Sequence, residues 1–358
     1  MNLSTASTEG DKTAKSILSS LLRYPGIALS FRSFDNKYSK ILKEGSLSEY
    51  DKTIPPFLFR SAPFPLNSLP IPFQSILNQT KADNFNRYVQ IYFDDYDAVQ
   101  FVKTYFPQHL HGYKSLIPGA FRIDILRLLL LLRYGGIYND IGHRYLKPIQ
   151  SVVTGDDEFI SVCTPDFHIY NAFIAAYRNH PLIRAFLVHI MSKVNRREYS
   201  NNALNITGPF ALSDAFRAFT NATVPFNKVE ISGCKYKFLS FDHNRSCIYD
   251  IDGSQYILTK FPLPIHLKIL YSNVKHIHYG KLWEDGKVYH QQYQHYEDLT
   301  IYFILALLLL IVFFYYKFGR ATHCGACGIS IGLVRDSLRG NNKRGWSILE
   351  HIISLYTY

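Results

Sequence analysis

Arg122-Ile123-Asp124-Ile125-Leu126-Arg127-Leu128-Leu129-Leu130-Leu131-Leu132-Arg133-Tyr134-Gly135-Gly136-Ile137-Tyr138-Asn139-Asp140 is the stretch that decides the fold. Phe121 to Tyr134 reads as a helix, apolar nearly all round from Leu128 to Leu132, as a core helix should be. Gly135-Gly136 supplies its C-terminal stop. A short strand follows, and Asp140 stands where that strand ends. In open α/β sheets ligands bind outside the carboxyl ends of the strands, so the acidic residue sits where a ligand is expected. Asp124 and Arg127, three positions apart, share one helix face. Two carboxylates and a guanidinium so placed suit a nucleotide diphosphate and its sugar.

Working outward, Tyr88 to Phe93 reads as a strand and Ala98 to Tyr105 as a helix closed by Pro107. Glu158 to Val162 reads as a strand and Ile183 to Val194 as a helix. This alternation favours an α/β fold with a partly parallel sheet. Residues 1–70, with weak periodicity and prolines through Pro72, are expected to form an irregular lead-in, with a short amphipathic helix from Ser16 to Leu22.

The pieces resemble, in order, the DXD-type glycosyltransferases of the initiating α-1,6-mannosyltransferase and inositol-phosphoceramide mannosyltransferase family, whose core the large clostridial glucosylating toxins share. Ile71-Pro72 with Asn78-Gln79-Thr80 looks like the family's opening strand, and Tyr92-Phe93-Asp94-Asp95 like its next strand end. Ala120 to Asp140 looks like the core signature. Asn171-Ala172-Phe173-Ile174 with His180-Pro181, Thr207-Gly208-Pro209, and His278 with Trp283 follow. The family reads Asp-X-Asp where this chain reads Asp140-Ile141-Gly142, so the second carboxylate is missing.

The resemblance implies a GT-A-like, Rossmann-type nucleotide-sugar-binding domain over residues 71–285. It implies transfer of a hexose, mannose from GDP-mannose, with retention, to a glycolipid or glycan acceptor. Asp124, Arg127 and Asp140 would be the catalytic residues. Asp124 would hold ribose or donor-sugar hydroxyls and Arg127 the diphosphate. Tyr138 would line the nucleotide pocket, Asp140 would contact ribose and metal, His278 metal or phosphate, and Trp283 would close the pocket. Mg²⁺ or Mn²⁺ is the implied cofactor, as a hard cation on oxygen ligands. Gly142 leaves three readings: metal held through Asp140, His278, diphosphate and water; a metal-independent enzyme; or a silent subunit of a glycosylation complex. His143 is a substitute ligand to consider. Asp124 and Arg127 could instead be a structural ion pair, and Asp140 a turn former.

The chain has 358 residues, 47% of them hydrophobic, ample for one large domain plus attachments. The 27 Tyr and 26 Phe read first as core aromatics, and otherwise as platforms for sugar rings. The net charge of +11 comes from scattered basic residues without a nucleic-acid-binding motif, which argues against nucleic acid. Such a surface suits an anionic nucleotide sugar or membrane. Five cysteines make no disulfide scaffold. Cys234 and Cys247 flank an expected hairpin and could pair in a lumenal domain, Cys163 reads as a buried strand residue, and Cys324-Cys327 lacks the further ligands of a zinc site.

Residues 299–318 hold an apolar run long enough to span a membrane as a single helix. Acidic residues precede it, Lys317 and Arg320 follow it, and residues 319–358 form a basic tail. The positive-inside rule then places the catalytic domain in the lumen of Golgi or ER. With no clear N-terminal segment to carry the domain across, a cytosolic, tail-anchored arrangement is the alternative.

Overall fold

The computed structural model describes residues 16–24, 26–43, 52–84, 86–225, 227–250, 256–260 and 278–290. All lie in a compact unit, Met1–His290. The expected membrane segment, the basic tail and the Cys324-Cys327 pair lie outside the described residues, among which no helix is long and apolar enough to cross a membrane.

Residues 16–22 form the expected helix α1. β1 (Leu29–Ser30), α2 (Phe31–Lys43), β2 (Phe57–Ser61), α3 (Ile71–Asp83) and β3 (Val89–Phe93) follow. Next come α4 (Asp95–Tyr105), α5 (Pro107–Ser115), α6 (Gly119–Tyr134), β4 (Gly136–Asn139) and β5 (His143–Tyr145). The chain continues through β6 (Phe159–Cys163), β7 (Phe173–Ala176), α7 (Pro181–Asn195), α8 (Pro209–Thr220) and β8 (Asn227–Ile231). β9 (Cys234–Asp242), β10 (Cys247–Tyr249), β11 (Tyr256–Lys260) and α9 (Tyr279–Glu284) complete the described elements.

The described strands form one sheet in the order β1-β3-β2-β4-β7-β6-β9-β10-β11-β5, with β8 on β9. β1, β3, β2 and β4 run parallel, and β7 turns antiparallel against β4. Chain order therefore reverses about β2: β3 lies on one side of it and β4 on the other. That reversal opens a crevice at the carboxyl ends of β2 and β4.

The irregular lead-in is a correction. Residues 1–70 include β2, a central strand buried at every position. A parallel strand covered on both faces shows no polar alternation, and the prolines on either side of Phe57-Leu58-Phe59 masked it. A second correction concerns Ile71–Asp83, expected to open with a strand. It is a helix, with Pro70 at the N-cap and Pro72 in the first turn. Proline fits there because the first helical N–H groups have no intrahelical partner anyway. Pro107, expected to close α4, also opens α5 in the same way.

α6 meets the sequence expectation. Leu128 to Leu131 are fully buried, each contributing about 2 kcal/mol of apolar burial. Gly135 ends the helix at φ 67°, and a Cβ there would stand 2.6 Å from the Arg178 backbone nitrogen. Among the described aromatics, Phe34, Tyr38, Phe57, Phe59, Phe101 and Tyr134 form a core cluster around the α6 terminus, most contacts edge-on or tilted.

Cys163 is buried in β6, as expected. The Cys234–Cys247 pairing is corrected. β9 and β10 do form the hairpin, but Cys247 sits opposite Asp242, at the other end of β9 from Cys234. Eight residues of strand separate the two, roughly 26 Å, and both cysteines are free.

Candidate active site

α6 delivers Asp124 and Arg127 to the crevice from one face, and the end of β4 delivers Asp140. Arg127 Nη2 lies 3.0 Å from Asp124 Oδ1 and 3.4 Å from Asp140 Oδ1, so one guanidinium bridges both carboxylates. Arg127 also donates through Nη1 to the Asn171 carbonyl and lies 4.7 Å above the Tyr138 ring. Asp124 accepts from Asn171 Nδ2 and from the Thr207 hydroxyl, both at 2.8 Å. Buried charges need such company, and the Asn171 and Thr207 donors fill the lone pairs that Arg127 leaves.

Asp124 and Arg127 are almost wholly buried, whereas the Asp140 side chain is 41% exposed. Burial lifts the Asp124 carboxyl to about 6, against the pull of Arg127 and Thr207, and Asp140 adds to the lift. Burial works against the Arg127 charge, but Asp124 and then Asp140 outweigh it and raise its pKa overall. The buried pair forms the floor of the site, and Asp140 is the more exposed of its two carboxylates.

A cleft of about 600 Å³ opens here, within the range of small-ligand pockets. Asp124, Arg127, Asp140, Asp166, His168 and Lys260 are among its lining residues, as are His278 and Tyr279. Phe210 lies tilted against His168 with ring centroids 4.1 Å apart, and Phe241 stacks on Tyr170 at 4.5 Å. A polar floor with aromatic walls suits a sugar carrying a charged group.

Three expectations about the site change. Tyr138 is buried beneath Arg127, with its hydroxyl 3.0 Å from that of Ser61, and so supports the guanidinium instead of lining the cleft. Trp283 does not line the cleft. Its Nε1 donates to the Tyr199 carbonyl at 3.0 Å, and Tyr279, one helical turn earlier, takes the lining position. His143 turns inward: Nδ1 is 2.7 Å from Asn139 Oδ1 and Nε2 is 3.0 Å from the Tyr170 hydroxyl. Burial lowers its pKa to about 4, so it is a neutral structural group with both nitrogens occupied.

The donor set among the described residues does not make a protein-held metal site. Among the described residues no three His, Cys, Asp or Glu side chains gather to hold an ion. Asp140 faces a guanidinium, Gly142 carries no donor, and His278 accepts the Gly280 N–H at 3.2 Å as the cap of α9.

Arg60, at the end of β2, is the residue that sequence reading missed. It is fully buried, and its Nη1 donates to the carbonyls of Asp140 at 2.9 Å and His143 at 3.0 Å. Nη2 reaches Thr80 on α3 at 3.3 Å. The turn bearing Asp140 is thus held from beneath by an arginine eighty positions earlier. Arg-Ser at the end of an apolar run was the signal, hidden by the reading of that region as irregular.

Two solved structures resemble the chain at low scores. One is described as PaToxG glycosyltransferase, 19% identical over 60% of this chain and 79% of that one, with a TM-score of 0.34. The other is a transferase solved as a double Cys-to-Ser mutant, 17% identical over 46% of this chain and 69% of that one, with a TM-score of 0.24. Among curated proteins none matches. Residues 71–160, the segment that runs from α3 through Asp124, Arg127 and Asp140 to β6, match the family described as "Glycosyltransferase sugar-binding region containing DXD motif".

Proposed function

We propose that the chain is a nucleotide-sugar-dependent glycosyltransferase that moves a hexose to an acceptor hydroxyl. The observation that carries this is one guanidinium bridging two carboxylates at the carboxyl end of β4, inside the segment that matches a sugar-binding family. Breaking the donor's glycosidic bond builds negative charge on the departing diphosphate, and catalysis needs positive charge fixed where it develops. Arg127 supplies a preorganised guanidinium, and Lys260 on the cleft wall a second cation. Asp140, the exposed carboxylate, accepts hydroxyls of ribose or donor sugar, and Asp124 keeps Arg127 oriented.

The finer reading follows the family resemblance: GDP-mannose as donor, retention of configuration, and a membrane-associated glycolipid or glycan as acceptor. The apolar run at 299–318 supports a membrane-proximal acceptor and a single-pass protein of Golgi or ER. A second reading, a silent subunit of a glycosylation complex, is favoured by one observation, the glycine at position 142.

Full-length protein in detergent, given a panel of nucleotide sugars with Mn²⁺ or with chelator, tests both. Release of nucleoside diphosphate from one donor, reduced at least a hundredfold in Asp140→Ala, establishes the enzyme and its sugar. Folded protein that neither turns over nor binds any donor overturns it in favour of the silent subunit.

A further inference from the structure

At the opposite end of the sheet, where α6 ends and β4 begins, lies a second and larger cavity of about 750 Å³. The α6 terminus, the turn after β7 and the segment before β2 enclose it. Its described lining includes Lys52, Arg133, Arg178 and Arg184, and no carboxylate. None of these four cations is in an ion pair among the described residues. The nearby carboxylate of Asp35 is taken up by the hydroxyls of Tyr105 and Tyr134.

Arg133 lies half-buried with its guanidinium 3.4 Å from the Tyr105 ring centre. That stacking stabilises the charge, the guanidinium donates a hydrogen bond to the Tyr134 hydroxyl, and Nε is buried without a hydrogen-bond partner. The two outer arginines are held in place. Arg178 Nε donates to the Arg133 carbonyl at 3.0 Å, and Arg184 donates through one terminal nitrogen to Asn179 Oδ1. The backbone beneath them is fixed as well. Asn179 N donates to the Leu132 carbonyl at 3.1 Å, and Gly135 allows the Arg178 backbone its close approach. The positive end of α7 begins directly behind this turn, at Pro181.

Guanidinium groups gathered with no ion-pair partner among the described residues repel one another, and arginines anchored on fixed backbone lose less entropy on meeting an anion. Arginine forks match phosphate oxygens in pairs. The tyrosine-lined volume has room for more than a bare ion. We propose that this cavity is a second binding site, separate from the donor cleft, for a phosphate-bearing ligand whose phosphate is held by Arg133, Arg178 and Arg184. A soluble phosphorylated molecule and a phospholipid headgroup present the same chemistry.

The full chain, titrated with inorganic pyrophosphate and separately mixed with phosphatidylcholine vesicles with and without phosphatidate, tests this. Amide hydrogen exchange locates the bound pyrophosphate. Protection is expected in peptides covering residues 131–135 and 177–184. The exposed pair Arg178→Gln and Arg184→Gln, combined, should weaken binding about a hundredfold, roughly tenfold for each charge-assisted hydrogen bond removed, with an unchanged melting temperature. Phosphatidate-dependent vesicle binding that the double variant loses, with pyrophosphate weak, supports the site and names the headgroup as its source. Protection confined to residues 120–127 and 139–143, sparing 131–135 and 177–184, would place the anion in the donor cleft and overturn the proposal. Binding of both probes by the double variant as by the native chain, or of neither probe by the native chain, overturns it equally.

Discussion

Gly142 stands where a second carboxylate is expected, two residues beyond Asp140, and the space around it is open: a Cβ there would meet nothing within 4 Å. The first atom of an aspartate side chain therefore meets no neighbour there. Asp140 alone is opposed by Arg127 at 3.4 Å, so a divalent ion must compete with a guanidinium for a single carboxylate. Adding a second hard oxygen ligand shifts that competition toward the ion. Gly142→Asp is expected to bind Mn²⁺, in the presence of a nucleoside diphosphate, about tenfold more tightly than the native chain, a gain of roughly 1.4 kcal/mol. Calorimetric titration reads this directly, and equal affinities would show that the missing carboxylate is not what limits metal binding. Arg60 teaches the complementary lesson. Its interaction with the Asp140 turn is made through backbone carbonyls, which carry no residue-type signal, so Arg-Ser after an apolar run could mark a strand end but not the turn it reaches.

Elements whose sequence pattern matches their environment were legible. α6 is apolar nearly all round because it is buried nearly all round, and β4 follows a glycine stop that only a positive φ explains. β2 and α3 were not. β2 is five buried residues between prolines, too short for periodicity to separate strand from loop. α3 begins with proline and carries buried polar Thr80 where Arg60 approaches, which blurs its apolar stripe. The junction between α6 and β4 permits a sharp contrast between two glycines. Gly135→Ala places a Cβ 2.6 Å from the Arg178 nitrogen and forces alanine to φ 67°. The strained conformation alone costs about 1–3 kcal/mol, and the clash adds to it. Gly142→Ala meets nothing within 4 Å and should be near neutral. Urea denaturation is expected to show the midpoint falling clearly for the first variant and hardly at all for the second. Coincident midpoints would mean that the α6 terminus yields without cost.

Across the whole molecule, the order of strands was the least legible feature, because pairing joins residues far apart in sequence and depends on burial that one strand does not reveal. The site was legible in part for the same reason. Asp124, Arg127 and Asp140 lie within one helix–strand unit, whereas their partners Asn171, Thr207 and Arg60 come from three other places in the chain. Burial on this scale also sets how the fold responds to acid. His180 is fully buried among Phe159, Tyr177 and Tyr236, caps α7 by accepting the Leu182 N–H at 3.1 Å, and has no partner at Nε2. Burial lowers its pKa from 6.5 to about 3. Between those values the unfolded chain binds a proton at this position and the folded chain does not. The His180 contribution to stability is therefore full above pH ~6.5 and declines as pH falls, by at most about 1.4 kcal/mol per pH unit. His180→Asn keeps a cap acceptor and removes the titration. The stability of the native chain relative to this variant, from denaturant titrations at a series of pH values, is expected to be flat above neutrality and to fall steadily from pH ~6 to pH ~4. A difference that stays constant across that window would mean that the folded protein admits the proton at His180, and that the aromatic cage around it opens to water.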